Sequence, residues 1–240
     1  MAVSTHVYGA AEELASAVAT ELLDALTAAQ SDGGIPAICL TGGTVADRVH
    51  REIARLGSGS PVDWARVEFW WGDERYVSTD SPDRNALQAH GAFLDALNVP
   101  TKHIHEMPST ASACSVEEGA RAYAAELSRR DRPFLVTMLG MGPDGHVASL
   151  FPGKPGPGVT EPTAIAVLGS PKPPPQRISL TLPALNDAQA VWLLVTGAEK
   201  AAAVAAAVAA AIGGDDLPAA RVHGRRDTVW FLDEAAAGSL

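Results

Sequence analysis

The sequence predicts a single three-layer α/β domain, in which a mainly parallel sheet is covered by helices on both faces. Short runs of consecutive apolar residues recur along the chain, as expected for strands that are buried on both faces. Segments with helical periodicity separate most of these runs, and this alternation is typical of parallel sheets. No internal repeat or polar linker divides the 240 residues, and we therefore expect residues 1–240 to form one domain.

An amphipathic helix comes first in the predicted order of elements. Over residues 12–29, Leu14, Val18, Leu22 and Leu26 recur on one helical face, and acidic residues occupy the first turn. The run 35–40 is short and apolar, which indicates a buried strand, and two glycines follow it. The elements predicted next are a helix at 45–56, a strand at 67–71, and helices at 84–97 and 116–130.

Strands dominate the second half of the chain. Apolar runs predict strands at 134–139, 164–168, 178–182, 190–195 and 228–232, with one alanine-rich helix at 199–211. A Pro/Gly-rich loop covers residues 152–162, and three prolines at 173–175 break the chain again. These prolines could mark a domain boundary, but the strands on both sides look alike, which favours one domain.

Composition excludes several classes of protein. The chain has no run of about 18 apolar residues, the length that a membrane-spanning helix needs. Its first residues lack the basic and apolar regions of a secretion signal, and its two cysteines, Cys39 and Cys114, cannot form a disulfide framework. We therefore expect a cytoplasmic protein that does not bind membranes. Cys39 lies within an apolar run, and we expect it to be packed in the core.

The net charge of −10, from 18 Lys and Arg against 28 Asp and Glu, argues against a polyanionic partner. Nucleic-acid binding requires a basic face that neutralises phosphates, and the sequence contains no such cluster. We therefore expect no nucleic-acid partner. A small anionic ligand is still compatible with this balance, because one phosphate group needs only a few local donors.

Four unusual segments follow predicted strands, at the edge of an α/β sheet where ligands usually bind. The first contains Thr41, Gly42, Gly43 and Thr44, between a strand and a helix. Glycines allow backbone N–H groups to approach an anion, and the dipole of the following helix favours negative charge. The alternative is a tight turn with a threonine N-cap. The segment lacks the patterns of dinucleotide-binding and Walker A loops.

The second and third segments carry charged and titratable groups. Arg75, at the end of a Gly-Asp-Glu-Arg sequence, can offer a planar guanidinium to a phosphate or carboxylate. Asp73 and Glu74 could orient Arg75 or accept a substrate hydroxyl; the alternative is a solvated strand end with local ion pairs. In the third segment, the carboxylate of Asp144 can orient the imidazole of His146 as a base that works near neutral pH. The alternative there is a simple turn hydrogen bond.

Lys200 marks the fourth segment. It falls in the first turn of a predicted helix, where a cation is unfavourable against the dipole, and this suggests that an anion is held there. The alternative is a solvent-facing lysine paired with Glu199. Elsewhere, His103 and His105 alternate as two residues on one strand face would, but no third ligand is spaced to support a metal site. The sequence also lacks the Gly-x-Ser-x-Gly pattern of serine hydrolases.

Residues 140–153, with the sequence Gly-Met-Gly-Pro-Asp-Gly-His-Val-Ala-Ser-Leu-Phe-Pro-Gly, closely resemble the signature of the 6-phosphogluconolactonase family. Supporting matches occur at 71–75, 104–108, 173–180 and 196–200, in the family's order and over nearly the whole chain. The resemblance implies hydrolysis of 6-phosphogluconolactone to 6-phosphogluconate in the pentose phosphate pathway, without a metal or organic cofactor. It also implies a fold shared with glucosamine-6-phosphate deaminases and ribose-5-phosphate isomerases.

Three differences bear on this resemblance. Val45 follows the glycine loop where the family usually has Thr or Pro, and Glu106 replaces a usual proline. Neither position touches the expected base. The deaminases continue the Asp-Gly-His sequence with Ala-Phe-Asn-Glu, whereas this chain has Ala-Ser-Leu-Phe at 148–151 and lacks the glutamate that supports ring-opening proton transfer.

The resemblance implies a catalytic role for the third segment. His146 is expected to act as the general base that activates water, and Asp144 to hold the imidazole and stabilise its protonated form. Backbone N–H groups near residues 42–43 or near Gly142 are the two candidate sources of oxyanion donors. The residues expected to bind the substrate and its phosphate are Arg75, Lys200, Arg177, Gly42, Gly43 and Thr44.

Two other functions remain open at this point. One is isomerisation or deamination of a sugar phosphate, and the other is a phosphosugar sensor without activity, although the chain has no segment for the DNA-binding domain that such sensors usually carry. The expected partner in all cases is a small phosphosugar, and for the lactonase it is the phosphosugar lactone. We expect a monomer, although nothing in the composition distinguishes one from an oligomer. The loop at 152–162 follows His146 and could cover the site.

Overall fold

Nine strands are found in the part of the chain that this computed structural model describes, residues 2–161, 163–210 and 217–240. In chain order they are β1 (Ala2–Tyr8), β2 (Ala37–Leu40), β3 (Glu68–Trp71), β4 (Asp73–Arg75), β5 (Phe134–Gly140), β6 (Ala164–Val167), β7 (Arg177–Leu180), β8 (Ala188–Val195) and β9 (Asp227–Asp233).

Six of these strands form the central sheet, in the order β1-β9-β8-β5-β2-β3. All five neighbouring pairs in this sheet are parallel. The inner strands are buried almost throughout, because helices cover both faces of a parallel sheet. The expectation of a mainly parallel α/β sheet is therefore confirmed.

Seven α-helices connect the strands. They are α1 (Ala11–Ser31), α2 (Thr44–Gly57), α3 (Asn85–Ala89), α4 (Val116–Leu127), α5 (Leu182–Asn186), α6 (Ala201–Ala210) and α7 (Pro218–Arg221), as counted over the described ranges. The strand order and the right-handed sense of parallel crossovers put α1 and α2 on one face of the central sheet and α4, α6 and α7 on the other.

Several predicted elements are longer, shorter or more complex in the structure. The helix predicted at 84–97 is α3 followed by a wider, π-helical stretch at His90–Leu94. The helix predicted at 199–211 begins as a single 3₁₀ turn at Ala198–Lys200 before α6, and residue 211 lies outside the described residues, as does residue 162 of the predicted loop. No helix among the described residues has both the length and the apolar character needed to cross a bilayer.

A second sheet of three strands, β4-β7-β6, corrects two predictions. Residues 73–75, predicted as a polar segment after a strand, form β4, which pairs antiparallel with β7. The strands predicted at 164–168 and 178–182 are β6 and β7, and they pair antiparallel with one another. The prolines at 173–175 therefore lie in the connection between two paired strands.

The strand β1 was not predicted, because it lacks the expected pattern. Its residues 2–7 are exposed, so they need no apolar side chains. Pairing with β9 along one edge holds it in the sheet. By contrast, Cys39 in β2 is completely buried, which confirms that it is packed in the core.

Candidate active site

A cavity of about 260 Å³ lies beyond the carboxyl ends of the central strands. The ends of β2, β5 and β8 reach it, and β4 and β7 of the second sheet form a wall. The predicted site residues that line it are Gly42, Gly43, Thr44, Arg75, His146, Arg177 and Lys200. The remaining one, Asp144, contacts His146. The structure thus brings the four segments together, as expected from the position of strand ends in α/β sheets.

His146 and Asp144 form a hydrogen-bonded pair. His146 Nδ1 lies within hydrogen-bond distance of Asp144 Oδ1, so an ionised Asp144 makes Nδ1 the protonated nitrogen of a neutral ring. Among the described residues, Nε2 has no hydrogen-bond partner, and this leaves its lone pair available. The His146 side chain is 12% exposed. The arrangement suits a general base that is held in one tautomer.

A turn that contains two glycines, Gly142 and Gly145, holds the imidazole in place. The Gly142 N–H donates to the carbonyl oxygen of His146 at 3.0 Å, and the Gly145 N–H donates to the Gly142 carbonyl at 3.0 Å. Gly145 has a φ of +78°, a conformation that favours glycine. The aromatic ring of Phe151 lies 4.6 Å from the His146 ring, between centroids. The turn and this ring together fix the direction of the imidazole.

Burial is the main influence on the pKa of His146. It disfavours the charged imidazolium and lowers the pKa below its ordinary value of 6.5, although the hydrogen bond and charge of Asp144 act in the opposite direction. Lys172 also lowers this pKa through its charge. For Asp144, partial burial acts to raise the pKa, but the hydrogen bond and charge of His146 outweigh it, and the pKa is lowered. His146 is therefore mostly neutral at pH 7.

The loop after β2 leads directly into α2, with Gly43 as the N-cap residue. Gly43 has a φ of +98°, and no side chain caps the helix. The first helical hydrogen bond is donated by the Asp47 N–H to the Gly43 carbonyl at 2.9 Å, so the earlier amides of the first turn have no partner within the helix. The predicted alternative of a threonine N-cap is therefore wrong, because Gly43 is the N-cap residue. The free amides lie at the N-terminus of α2, where the helix dipole favours anions.

Gly42 is a glycine because Asn85 lies against it. A β-carbon at Gly42 would come within 1.8 Å of Asn85 Oδ1. Asn85 is fixed in turn, because its Nδ2 donates to the Asp73 carbonyl at 2.9 Å and its backbone N–H donates to Glu74 Oε1 at 2.8 Å. The loop between β2 and α2 is therefore packed against the start of α3.

Arg75 is held at the cavity by the acid next to it and by a distant carbonyl. Its Nη1 donates to the carbonyl oxygen of Asp83 at 2.6 Å, and its backbone N–H donates to Glu74 Oε1 at 2.8 Å. Glu74 also accepts the backbone N–H groups of Asn85 and Ala86 at the start of α3. Glu74 is 1% exposed, which overturns the alternative of a solvated strand end.

Lys200 lies in the 3₁₀ turn before α6 and lines the cavity together with Arg75. Burial lowers its pKa, and the charges of Glu199 and Asp233 only partly oppose this effect. No carboxylate of the described chain lies within ion-pair distance of its ammonium group. The alternative of a solvent-facing lysine paired with Glu199 is therefore wrong.

Two polar residues at the cavity, Asn85 and Lys172, were not considered from the sequence, and Asp73 was considered only as a residue that could orient Arg75 or accept a substrate hydroxyl. Asp73 is 6% exposed, and its Oδ2 accepts the hydroxyl of Ser149 at 2.6 Å. A pairing between β4 and β7 that sequence reasoning missed brings Asp73 opposite Ser179. Asn85 and Lys172 carry no local motif, so no sequence signal could have found them.

A larger open groove of about 1000 Å³ lies at the amino ends of the strands. Four arginines and four acidic residues line it, so its formal charge is balanced. His105 lies there, stacked on Trp70 at 3.9 Å, with its Nδ1 2.6 Å from Glu126 Oε1. His103 ends a 3₁₀ turn at Thr101–His103, so the two histidines do not share a strand face as predicted. The groove thus contains a histidine–carboxylate pair, but its described lining residues include no glycine loop that leads from a strand into a helix.

Comparisons with known proteins agree with the geometry. A sequence model described as "Glucosamine-6-phosphate isomerases/6-phosphogluconolactonase" matches residues 9–230. The 6-phosphogluconolactonase of Streptomyces coelicolor is 44% identical over 239 residues, which cover 95% of this chain and 91% of that protein. The crystal structure of 6-phosphogluconolactonase from Thermotoga maritima superposes with a TM-score of 0.83 at 26% identity, and the match covers 97% of this chain and 100% of the other.

A monomeric glucosamine-6-phosphate deaminase superposes with a TM-score of 0.82 over 100% of both chains. At 19% identity, this likeness shows the fold alone. It confirms the expectation that the fold is shared with glucosamine-6-phosphate deaminases.

Proposed function

Because the chain belongs to the glucosamine-6-phosphate isomerase/6-phosphogluconolactonase family, we propose that it hydrolyses 6-phospho-D-glucono-1,5-lactone to 6-phospho-D-gluconate. The observation that carries this proposal is the Asp144–His146 pair beside a cavity that Arg75 and Lys200 also line. A histidine base and two cations at one cavity match a neutral ester that carries a phosphate. The reaction belongs to the oxidative pentose phosphate pathway.

His146 begins the reaction as a general base. Its Nε2 takes a proton from water while the water oxygen attacks the lactone carbonyl carbon. Asp144 keeps the other ring nitrogen protonated and stabilises the imidazolium that forms. The tetrahedral intermediate then collapses, the bond to the ring oxygen breaks, and that oxygen takes the proton back as a hydroxyl. Water is thus added across the ester, and no redox change occurs.

The negative charge on the carbonyl oxygen needs hydrogen-bond donors during attack. Of the two sources predicted, the Gly142 N–H already donates to the His146 carbonyl. The amides of Gly42 and Gly43, which have no acceptor among the described residues, are the remaining source. We assign the oxyanion contact to this loop.

The phosphate of the substrate lies far from the reacting carbonyl carbon, and the protein binds it without changing it. Arg75 and Lys200, which line the cavity, supply the positive charge for it. Binding of this remote group positions the carbonyl next to the base, so binding energy contributes to the rate. Every one of these groups belongs to the protein, and the proposed chemistry uses no metal or organic cofactor.

The residues that follow the Asp-Gly-His sequence also argue against deamination. Ser149, Leu150 and Phe151 stand where the deaminase pattern has its glutamate-containing sequence. Leu150 and Phe151 are buried apolar side chains, and Ser149 donates to Asp73. None of the three can transfer a proton to a sugar ring as a carboxylate does.

The test compares two substrates. 6-Phosphogluconolactone is generated in place, and its loss is followed with and without protein, because this lactone also opens spontaneously. Glucosamine-6-phosphate is incubated in parallel, and released ammonia is measured. Acceleration of lactone loss without ammonia release supports the lactonase, whereas ammonia release supports the deaminase. If the protein accelerates neither reaction, the lactonase proposal is contradicted and a phosphosugar-binding protein without these activities is favoured.

A further inference from the structure

Arg177 uses most of its donors within the protein. It is 5% exposed, at the start of β7. Its Nε donates to the Pro174 carbonyl at 3.3 Å, and its Nη2 donates to the carbonyls of Lys172 and Pro173 at 3.0 and 3.2 Å. Its Nη1 lies 3.8 Å from Asp73 Oδ2. The guanidinium therefore holds three consecutive carbonyls of one loop, which leaves little of it for a substrate.

The loop that Arg177 holds, residues 170–175, is also braced from within. The Ser170 N–H donates to the Pro175 carbonyl at 2.9 Å and closes the loop. The Ser170 hydroxyl donates to the Lys172 carbonyl at 2.9 Å and accepts the Lys172 N–H at 3.3 Å. Three prolines restrict its φ angles. The backbone at Lys172 is thus fixed, while its side chain is exposed and lines the cavity.

Lys172 is the fourth cation that lines this small cavity, after Arg75, Arg177 and Lys200. Its side chain lines the same cavity as His146 and Lys200, and its charge lowers the pKa of both groups. No carboxylate of the described residues lies within ion-pair distance of Arg75, Lys172 or Lys200. Asp73 also lines the cavity, but it lies within ion-pair distance of Arg177. The three cations without an ion-pair partner therefore repel one another across about 260 Å³, and a bound anion relieves this repulsion.

We propose that Lys172 binds the phosphate of the substrate, and that Arg177 is a positioning residue that holds Lys172 over the cavity. This inference rests on the proposed function, since it takes the anion to be the phosphate of the lactone. An ammonium group on a flexible stem can follow a phosphate that approaches from solvent, whereas the planar guanidinium of Arg177 is matched to fixed carbonyls. The loop thereby makes the enzyme selective for phosphorylated lactones.

The first test compares 6-phosphogluconolactone with glucono-1,5-lactone, which lacks the phosphate. Lys172→Gln is expected to raise KM for the phosphorylated lactone by about tenfold, the usual effect of losing one charge-assisted hydrogen bond. KM for glucono-1,5-lactone is expected to change less than about twofold, and Lys172→Arg to recover most of the loss. The matched control is Lys154→Gln, because Lys154 is an exposed lysine that does not line the cavity.

A double-mutant cycle tests the role of Arg177. If Arg177 acts through Lys172, then Arg177→Gln combined with Lys172→Gln loses no more affinity for the phosphorylated lactone than the worse single variant. If Arg177 binds the substrate itself, the fold losses of affinity in the two single variants multiply in the double variant. Thermal unfolding of each variant identifies those that fail to fold, and the Lys172 variants change only an exposed side chain and remain informative in that case.

The outcomes separate this inference from the proposed function. A wild-type protein that does not accelerate loss of the phosphorylated lactone contradicts the proposed function. If the wild type is active but Lys172→Gln has the same KM as Lys154→Gln, the role of Lys172 is overturned and the proposed function is not. The same holds if KM for both lactones rises equally in Lys172→Gln. If the KM increases of the two single variants multiply in the double variant, the positioning role of Arg177 is overturned.

Discussion

The imidazole of His146 lies directly against the α-carbon of Gly142. A β-carbon on Gly142 would come within 2.1 Å of His146 Cε1 and 2.2 Å of its Nδ1, and within 2.6 Å of Asp144 Oδ1. The pair that the proposed mechanism requires therefore occupies the space where any other residue would place its side chain.

Gly142→Ala is expected to displace His146 and to lower kcat by at least about a hundredfold, because a base that is moved from its position loses most of its effect. Gly59→Ala is the control, since a β-carbon at Gly59 meets no atom within 4 Å. Circular dichroism and lactone hydrolysis are measured on both variants. A folded Gly142→Ala protein with wild-type kcat would contradict the proposed placement of the base.

The pH dependence of hydrolysis reports the pKa of His146. The base must be neutral, and burial lowers its pKa below 6.5, so activity should be full at pH 7 and fall only as the pH drops through that lowered value. Asp144→Asn removes an interaction that raises this pKa, so the acidic limb should move to lower pH while kcat falls by at least about tenfold. The profile is measured with glucono-1,5-lactone at saturating concentration, because the phosphate group of the phosphorylated lactone itself titrates near pH 6. An acidic limb that moves upward in Asp144→Asn would be inconsistent with this pairing.

Substrate capture should depend on the two predicted cations. Lys200→Ala and Arg75→Ala are each expected to lower kcat/KM for the phosphorylated lactone by about tenfold or more, mainly through KM. Lys102→Ala is the control, because Lys102 is exposed in a turn that does not line the cavity. Changes of less than about threefold in both variants would show that neither residue binds the phosphate.

Much of the fold was accessible from the sequence because burial leaves a pattern. The strands β2, β3, β5, β8 and β9 are apolar runs, since a parallel sheet buries both faces. Parallel strands also point their carboxyl ends the same way, so segments far apart in the chain could be predicted to meet. The family signature at 140–153 and its expected relation to lactonases are confirmed by the similar proteins.

Other features left no pattern to read. The strand β1 is exposed on both faces, and β4 consists of Asp73, Glu74 and Arg75, which contain no apolar side chain. Glu74 is buried there with three backbone N–H donors, two of them from α3, and with Arg84 Nη2 at 4.0 Å. Lys172 reaches the cavity through contacts with Arg177 that depend on the pairing of β6 and β7. Such tertiary relationships carry no local signal. The assignment of residues 1–240 to one domain and the monomeric state stay predictions.

The most direct test of the account is the turnover of His146→Ala. Loss of 6-phosphogluconolactone is compared for the wild type, for His146→Ala, for the exposed-histidine control His223→Ala, and for buffer alone. The account predicts that His146→Ala loses about 10²- to 10⁴-fold in kcat with a modest change in KM, whereas His223→Ala matches the wild type. Near-normal turnover in a folded His146→Ala protein would remove His146 from the reaction.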